Sequence, residues 1–111
     1  MRVLEGHLML MRIYIGETDT YGGHPLYISI VEVLRREGIA GATVLKGVMG
    51  YGANSVLHSG DPFRLGQGMP LCVEVVDSEE HLNAVLPKLD HMVGEGLITM
   101  ERVRVIKYAP F

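Results

Sequence analysis

The chain predicts an α+β sandwich of the ferredoxin-like kind, ordered βαββαβ, with a four-stranded antiparallel sheet and both helices on one face. Two apolar stripes at helical spacing, four β-prone runs around them, and glycine or proline at most junctions predict it. At 111 residues, with 48% hydrophobic and 21% charged residues, the chain suits one hydrophobic core. A single domain over residues 1–111 is therefore expected.

The first strand is read at His7 to Ile15. Met9, Met11, Ile13 and Ile15 alternate with Leu8, Leu10, Arg12 and Tyr14, so both faces carry apolar side chains. The second set, with its single cation, points to a face covered by another subunit. After the Gly22-Gly23 breaker, Pro25 suits the first position of a helix, with His24 helping to cap it. Leu26, Tyr27, Ile30, Val33 and Leu34 form that helix's apolar stripe, and Gly38 ends it in the left-handed region. The second strand is expected over Thr43 to Met49 and the third, central and buried, over Leu71 to Val76.

Asp77 or Ser78 caps the second helix, whose positive end favours Glu79 and Glu80. Its stripe runs through Leu82, Val85, Leu86, Leu89, Met92 and Val93, with Pro87 expected to kink or interrupt it. Gly94-Glu95-Gly96 stops the helix. The last strand is placed at Val103 to Tyr108, with a short extended piece at Leu97 to Met100 before it.

The formal net charge of -3 argues against a nucleic-acid partner, because phosphate binding needs a basic surface. The apolar run over residues 8–15 contains Arg12 and is too short to span a bilayer, and nothing resembles a signal peptide. Cys72, the one cysteine, has no internal disulfide partner and reads as a small core side chain. A cytoplasmic location is the expectation from these features.

The segment that carries most information is the long connection from Gly50 to Pro70, which reads as a mobile loop. It follows the run GVMGYG at 47–52, where glycines let backbone approach a ligand and offer N–H groups to an anion. The spacing fits neither a dinucleotide fingerprint nor a P-loop. The bland alternative is a hairpin extension that binds nothing.

Three segments, LMRIYIGETDTYGGHPLY (10–27), GIAGATVLKGVMGYGA (38–53) and VDSEEHLNAVLPKLDHMVGEGLITMERVRVIKY (76–108), resemble the small PII-like proteins of domain-of-unknown-function family 190. The resemblance implies a PII-like ferredoxin fold, a homotrimer, and kinship with the PII signalling proteins and the CutA-like trimers. In the PII proteins an adenine nucleotide sits between neighbouring subunits at the root of the long loop. Carried over by position, Gly41, Ala42 and Thr43 match the strand start that flanks the base. Lys46, Gly47, Gly50 and Gly52 resemble the loop root, with Tyr51 among them and two extra residues shifting the register.

Gly94 and Gly96 resemble the glycines that approach the phosphates, and Lys107 falls where the PII pattern has its first phosphate-binding arginine. The second falls on Ala109, which favours a mono- or diphosphate or another small anion over a triphosphate. Arg104 lies toward the same phosphate side, while Arg102 and Arg104 together otherwise read as a solvated strand face. Lys46 is expected to point into a subunit cleft or to pack its stem at an interface.

The five histidines lack HxH or HxxxH spacing, so no metal site is expected. Ser55, His58, Ser59 and Asp61 share the long loop, but a nucleophilic constellation needs rigid positioning. The leading expectation is a non-catalytic, trimeric PII-like regulator. It would bind an adenine nucleotide or small anion, require no cofactor, and switch a loop that contacts a partner protein. Association of some family members with fluoride-exporter genes makes a membrane transporter one class of partner. The alternatives are a structural trimer or interaction module with no small ligand, and a small-metabolite enzyme.

Overall fold

A computed structural model of the protein describes residues 4–51 and 68–109. Most of the long connection, with Gly52, Ser55, His58, Ser59 and Asp61, lies outside the described residues. The elements in chain order are β1 (Gly6–Gly16), β2 (Thr20–Tyr21), β3 (His24–Pro25), α1 (Leu26–Arg36), β4 (Thr43–Lys46), β5 (Pro70–Asp77), α2 (Glu79–Met92) and β6 (Leu97–Val105). The main sheet has the order β4-β5-β1-β6, with every neighbouring pair antiparallel. This is the ferredoxin-like arrangement expected from the sequence.

The alternation along β1 decides which face is the core. Met11, Ile13 and Ile15 are buried, as are Leu71, Val73 and Val75 opposite them on β5. They pack with Leu26, Ile30 and Leu34 of α1 and Leu82, Val85, Leu89 and Met92 of α2 in one cluster. Both helices therefore cover the same side of the sheet. Lys88 of α2 pairs with Glu37 at the end of α1.

The helix ends show why these segments stop where they do. Gly38 adopts φ +80, Gly38 N–H donates to the Arg35 carbonyl at 3.1 Å, and Ile39 N–H donates to that of Leu34 at 3.0 Å. That pair of bonds is the Schellman motif, which supplies partners for the last carbonyls of α1. At the start of α2, Ser78 accepts from the His81 backbone N–H at 3.1 Å, so Ser78 rather than Asp77 is the cap.

Several expectations need correction. Pro25 stands one residue before α1 and pairs with Thr20, and no side chain caps this helix, so His24 has no capping role. β4 ends at Lys46, short of Met49. Pro87 lies inside α2, and the helix runs through it without interruption. The last strand is one continuous element that begins at Leu97 and ends at Val105, which leaves Lys107 and Tyr108 beyond it. Cys72 is half-buried on the sheet face away from the helices, not in the core, because its register partners are Tyr14 and Leu45.

That second face is apolar with a charged centre. Leu8 and Leu10 lie beside Val76 and Val103, while Tyr14, Leu45 and Leu97 are exposed large side chains at its other end. Between them Arg12 donates from Nε to Glu74 Oε2 at 2.9 Å and from Nη1 to Glu101 Oε1 at 2.7 Å. The two carboxylates raise the Arg12 pKa further, Glu74 first and Glu101 second. The one cation is thus shared by two carboxylates, and the cluster keeps one excess negative charge.

Candidate functional site

The sheet register sorts the residues singled out from the sequence into two groups. At one end, Lys46 is level with Leu71 and Ile15. The chain then leaves β4 through Gly47, Gly50 and Tyr51, all toward the end of the sheet where β5 begins at Pro70. Gly47 N–H donates to the Pro70 carbonyl at 2.7 Å. A Cβ on Gly47 would stand 2.8 Å from Pro70 Cγ, and one on Gly50 3.0 Å from the same atom. Close approach to Pro70 accounts for both glycines, and the Gly47 N–H is already committed to protein.

Lys46 does not stand alone. Its Nζ lies 2.9 Å from Glu17 Oε2, just beyond the end of β1. Lys46 chiefly, with a smaller share from the Met69 backbone N–H, holds the Glu17 carboxyl below its ordinary range. The Glu17 N–H in turn donates to the Met69 carbonyl at 2.9 Å. Glu17 therefore links the lysine on the outgoing chain to the segment that returns into β5.

At the opposite end, Gly41 and Ala42 are exposed and lead into Thr43 at the edge of the sheet. Their position is fixed through Ala40. Asp77 is fully buried at the end of β5, and its Oδ2 accepts from the Ala40 N–H at 3.0 Å. Its Oδ1 accepts from the Ser78 N–H at 2.7 Å and lies 3.1 Å from His81 Nδ1. The Tyr108 hydroxyl donates to the Ala40 carbonyl at 3.1 Å. This bond carries the C-terminal segment, and Lys107 with it, to the turn before β4.

The remaining residues fall on the far edge. Arg104 pairs with His7 on β1 and is exposed on β6. Gly94 and Gly96 precede β6 at the Lys46 end. A Cβ on Gly96 would meet the Tyr14 carbonyl oxygen at 2.5 Å and Val93 Cγ1 at 2.8 Å, whereas one on Gly94 would meet nothing within 4 Å. Gly96 is thus required by packing, and Gly94 has open space. Because β4 and β6 are the two outer strands, their residues are separated by three strand spacings, about 14 Å.

The arrangement offers an exposed, side-chain-poor strip at Gly41–Thr43 beside a tail bearing Lys107, and a glycine-rich chain exit beside Lys46. Both adjoin β4, so a ligand running along that edge would meet them in turn. Glu17, Asp77 and Tyr108 were not singled out by sequence as site residues. Among the described residues no group of three or more His, Cys, Asp or Glu side chains is placed to hold a metal ion. Among them also, no helix is long and apolar enough to cross a membrane.

Comparison with solved structures shows that this fold is shared with PII-like proteins. A PII-like protein of Thermus thermophilus, described as a signaling protein, superimposes with a TM-score of 0.64 at 23% identity, covering 91% of each chain. CPII of Thiomonas intermedia, bound to ADP, AMP and acetate, gives 0.61 at 16% identity over 95% of this chain and 94% of its own. The family is given by sequence. Residues 8–105 match the model of DUF190, described as "Uncharacterized ACR", and the chain belongs to that family. A UPF0166 protein of Methanocaldococcus jannaschii is 43% identical over 99 residues, 88% of this chain and 91% of its own. One of Aquifex aeolicus is 34% identical over 97 residues, 87% of this chain and 91% of its own.

Proposed function

We propose that this protein is a non-catalytic PII-like regulator that assembles as a homotrimer and binds an adenine nucleotide in the clefts between its subunits. The observation that carries this reading is the division of the residues named above between the two outer strands of one sheet. A single protomer brings Lys107 to the β4 side but leaves Gly94, Gly96 and Arg104 apart from it, whereas apposition of one copy's β4 edge to another copy's β6 edge would join them. The apolar second face, with Arg12 paired to both Glu74 and Glu101, suits contact with further copies.

Gly41, Ala42 and Thr43 would flank the base, and Lys46, Lys107 and Arg104 would supply charge to the phosphates. The glycines of the exit, Gly47, Gly50 and Gly52, with Tyr51, and Gly94 and Gly96 of the turn before β6, would border the ligand. CPII with bound ADP and AMP supports this choice of ligand. Occupancy of the cleft would be passed through the long connection to a partner protein, a membrane transporter being one class. A cytoplasmic location would suit such a role.

Light scattering and calorimetry test the reading together. The expected result is a mass three times that of the 12.2 kDa chain and binding of ADP or AMP below millimolar. A monomer, or a trimer indifferent to every adenine nucleotide, would overturn it.

A second reading, a structural trimer without a small ligand, draws on the commitments already made at the chain exit. Lys46 is paired with Glu17 and the Gly47 N–H with Pro70. A trimer with no nucleotide affinity would favour this second reading.

A further inference from the structure

The Glu17–Lys46 pair has an unusual composition for a surface ion pair. One carboxylate oxygen, Oε2, faces the ammonium at 2.9 Å, while the other, Oε1, is shielded from solvent with no hydrogen-bond partner among the described residues. An acceptor withdrawn from water and left unmade is a standing cost of that conformation. The opposite charge of Lys46 compensates it, and the side chains are partly exposed, 48% for Lys46 and 29% for Glu17, so exchange with solvent groups is open. Such a pair persists only while nothing offers Lys46 a better anion.

We propose that Glu17 is a specificity-determining residue of the ligand cleft, occupying Lys46 as a built-in competitor that an incoming phosphate must displace. This inference rests on the cleft reading above and adds a selection rule to it. A ligand with one weak negative charge exchanges one anion for another at Lys46 and gains little. A diphosphate brings more charge than the carboxylate it replaces, and it lets Glu17 turn outward, where Oε1 regains water. The cleft would therefore discriminate among anions by charge, and Glu17 would set the threshold.

Two features separate this from general repulsion of anions by a carboxylate. The contact is direct, Oε2 to Nζ, so the effect of Glu17 should act through Lys46 alone. Glu17 is also held by its backbone bond to Met69, so its side chain can leave Lys46 while its main chain remains in place.

The test is a double-mutant cycle on the full chain, titrated with ADP and separately with inorganic pyrophosphate. Glu17→Gln should bind both about three- to tenfold more tightly than the wild type. Lys46→Met should bind more weakly, and adding Glu17→Gln to it should give no further gain. In the wild type, the carboxyl carbon resonance of Glu17 should move on addition of pyrophosphate, which requires no variant to fold. If ADP binds but Glu17→Gln does not tighten it, or tightens it equally in the Lys46→Met background, the competitor role is overturned and the nucleotide reading survives. If pyrophosphate shows the cycle and ADP does not bind, the competitor role stands and the adenine reading falls. If neither anion binds any of the proteins, both fall.

Discussion

The buried carboxylate of Asp77 accepts the Ala40 backbone N–H at 3.0 Å, joining the end of β5 to the turn that starts β4. The same oxygen pair receives the Ser78 N–H and faces His81 Nδ1, so one side chain fixes a helix start and a strand start together. Asp77→Ala would leave the Ala40 and Ser78 N–H groups without this acceptor. Urea unfolding should show a loss of about 2–4 kcal/mol, the range for stripping buried donors of a charged partner. Tyr108→Phe removes only one exposed bond to Ala40 and should cost less than about 1 kcal/mol.

The open sheet face makes a second prediction. Arg12 is the cation that joins Glu74 and Glu101 there, and its reversal to Glu would put three carboxylates side by side. Such a cluster resists burial, so Arg12→Glu should shift the assembly toward monomer in light scattering while the far-ultraviolet circular dichroism keeps its native shape. Arg12→Met, which removes the charge and leaves both carboxylates, should give an intermediate shift that high salt diminishes.

How much of this was legible before the structure depends on the range of each interaction. The strand order and the two helical stripes follow from local periodicity, and β1, α1, β5 and α2 lie within two residues of their expected bounds. Pro87 was expected to disturb α2, but tertiary burial of Leu82, Val85 and Leu89 around it outweighs the lost bond. Cys72 reads as a core residue because its run is apolar but for Glu74; only the register with Tyr14 shows it on the other face. Glu17 was missed because nothing in its neighbourhood announces a partner on β4. The glycines were legible as positions of close approach, but Gly47, Gly50 and Gly96 approach protein rather than open space.

Gly94 and Gly96 separate packing from binding. Gly96→Ala forces a Cβ against the Tyr14 carbonyl oxygen at 2.5 Å, which is backbone and cannot turn aside. Thermal unfolding should reveal a loss of about 1–3 kcal/mol, as for other overpacked sites. Gly94→Ala meets open space and should be close to neutral in stability. Any loss of nucleotide affinity in Gly94→Ala would then report on ligand contact and not on folding.

Cys72 should be a poor nucleophile. Burial, first, and the nearby Glu74 raise its thiol pKa, more than Tyr14 and Arg12 lower it. The thiolate is the reactive form, so a raised pKa leaves less of it at neutral pH. Alkylation by iodoacetamide at pH 7 should be slower than that of a free model thiol and should accelerate on unfolding in urea. A rate equal to the model thiol in the native protein would contradict this environment.

The pH dependence of anion binding follows from the Glu17–Lys46 pair, with its sign fixed by the direction of the shift. Lys46 and the Met69 N–H are the groups that hold the Glu17 carboxyl below its ordinary value. A group with a depressed folded pKa contributes stability above its unfolded pKa and loses that contribution as pH falls through the folded value. Glu17 therefore keeps Lys46 occupied at neutral pH and releases it in acid. The ratio of pyrophosphate affinities, Glu17→Gln over wild type, removes protonation of the ligand itself from the comparison. That ratio should be largest at neutral pH and fall toward one as the solution is acidified below the ordinary carboxylate range, because wild-type Glu17 then carries a proton and resembles the glutamine. A ratio that stays constant from neutral to acid pH would mean that the carboxylate charge of Glu17 has no part in setting the affinity.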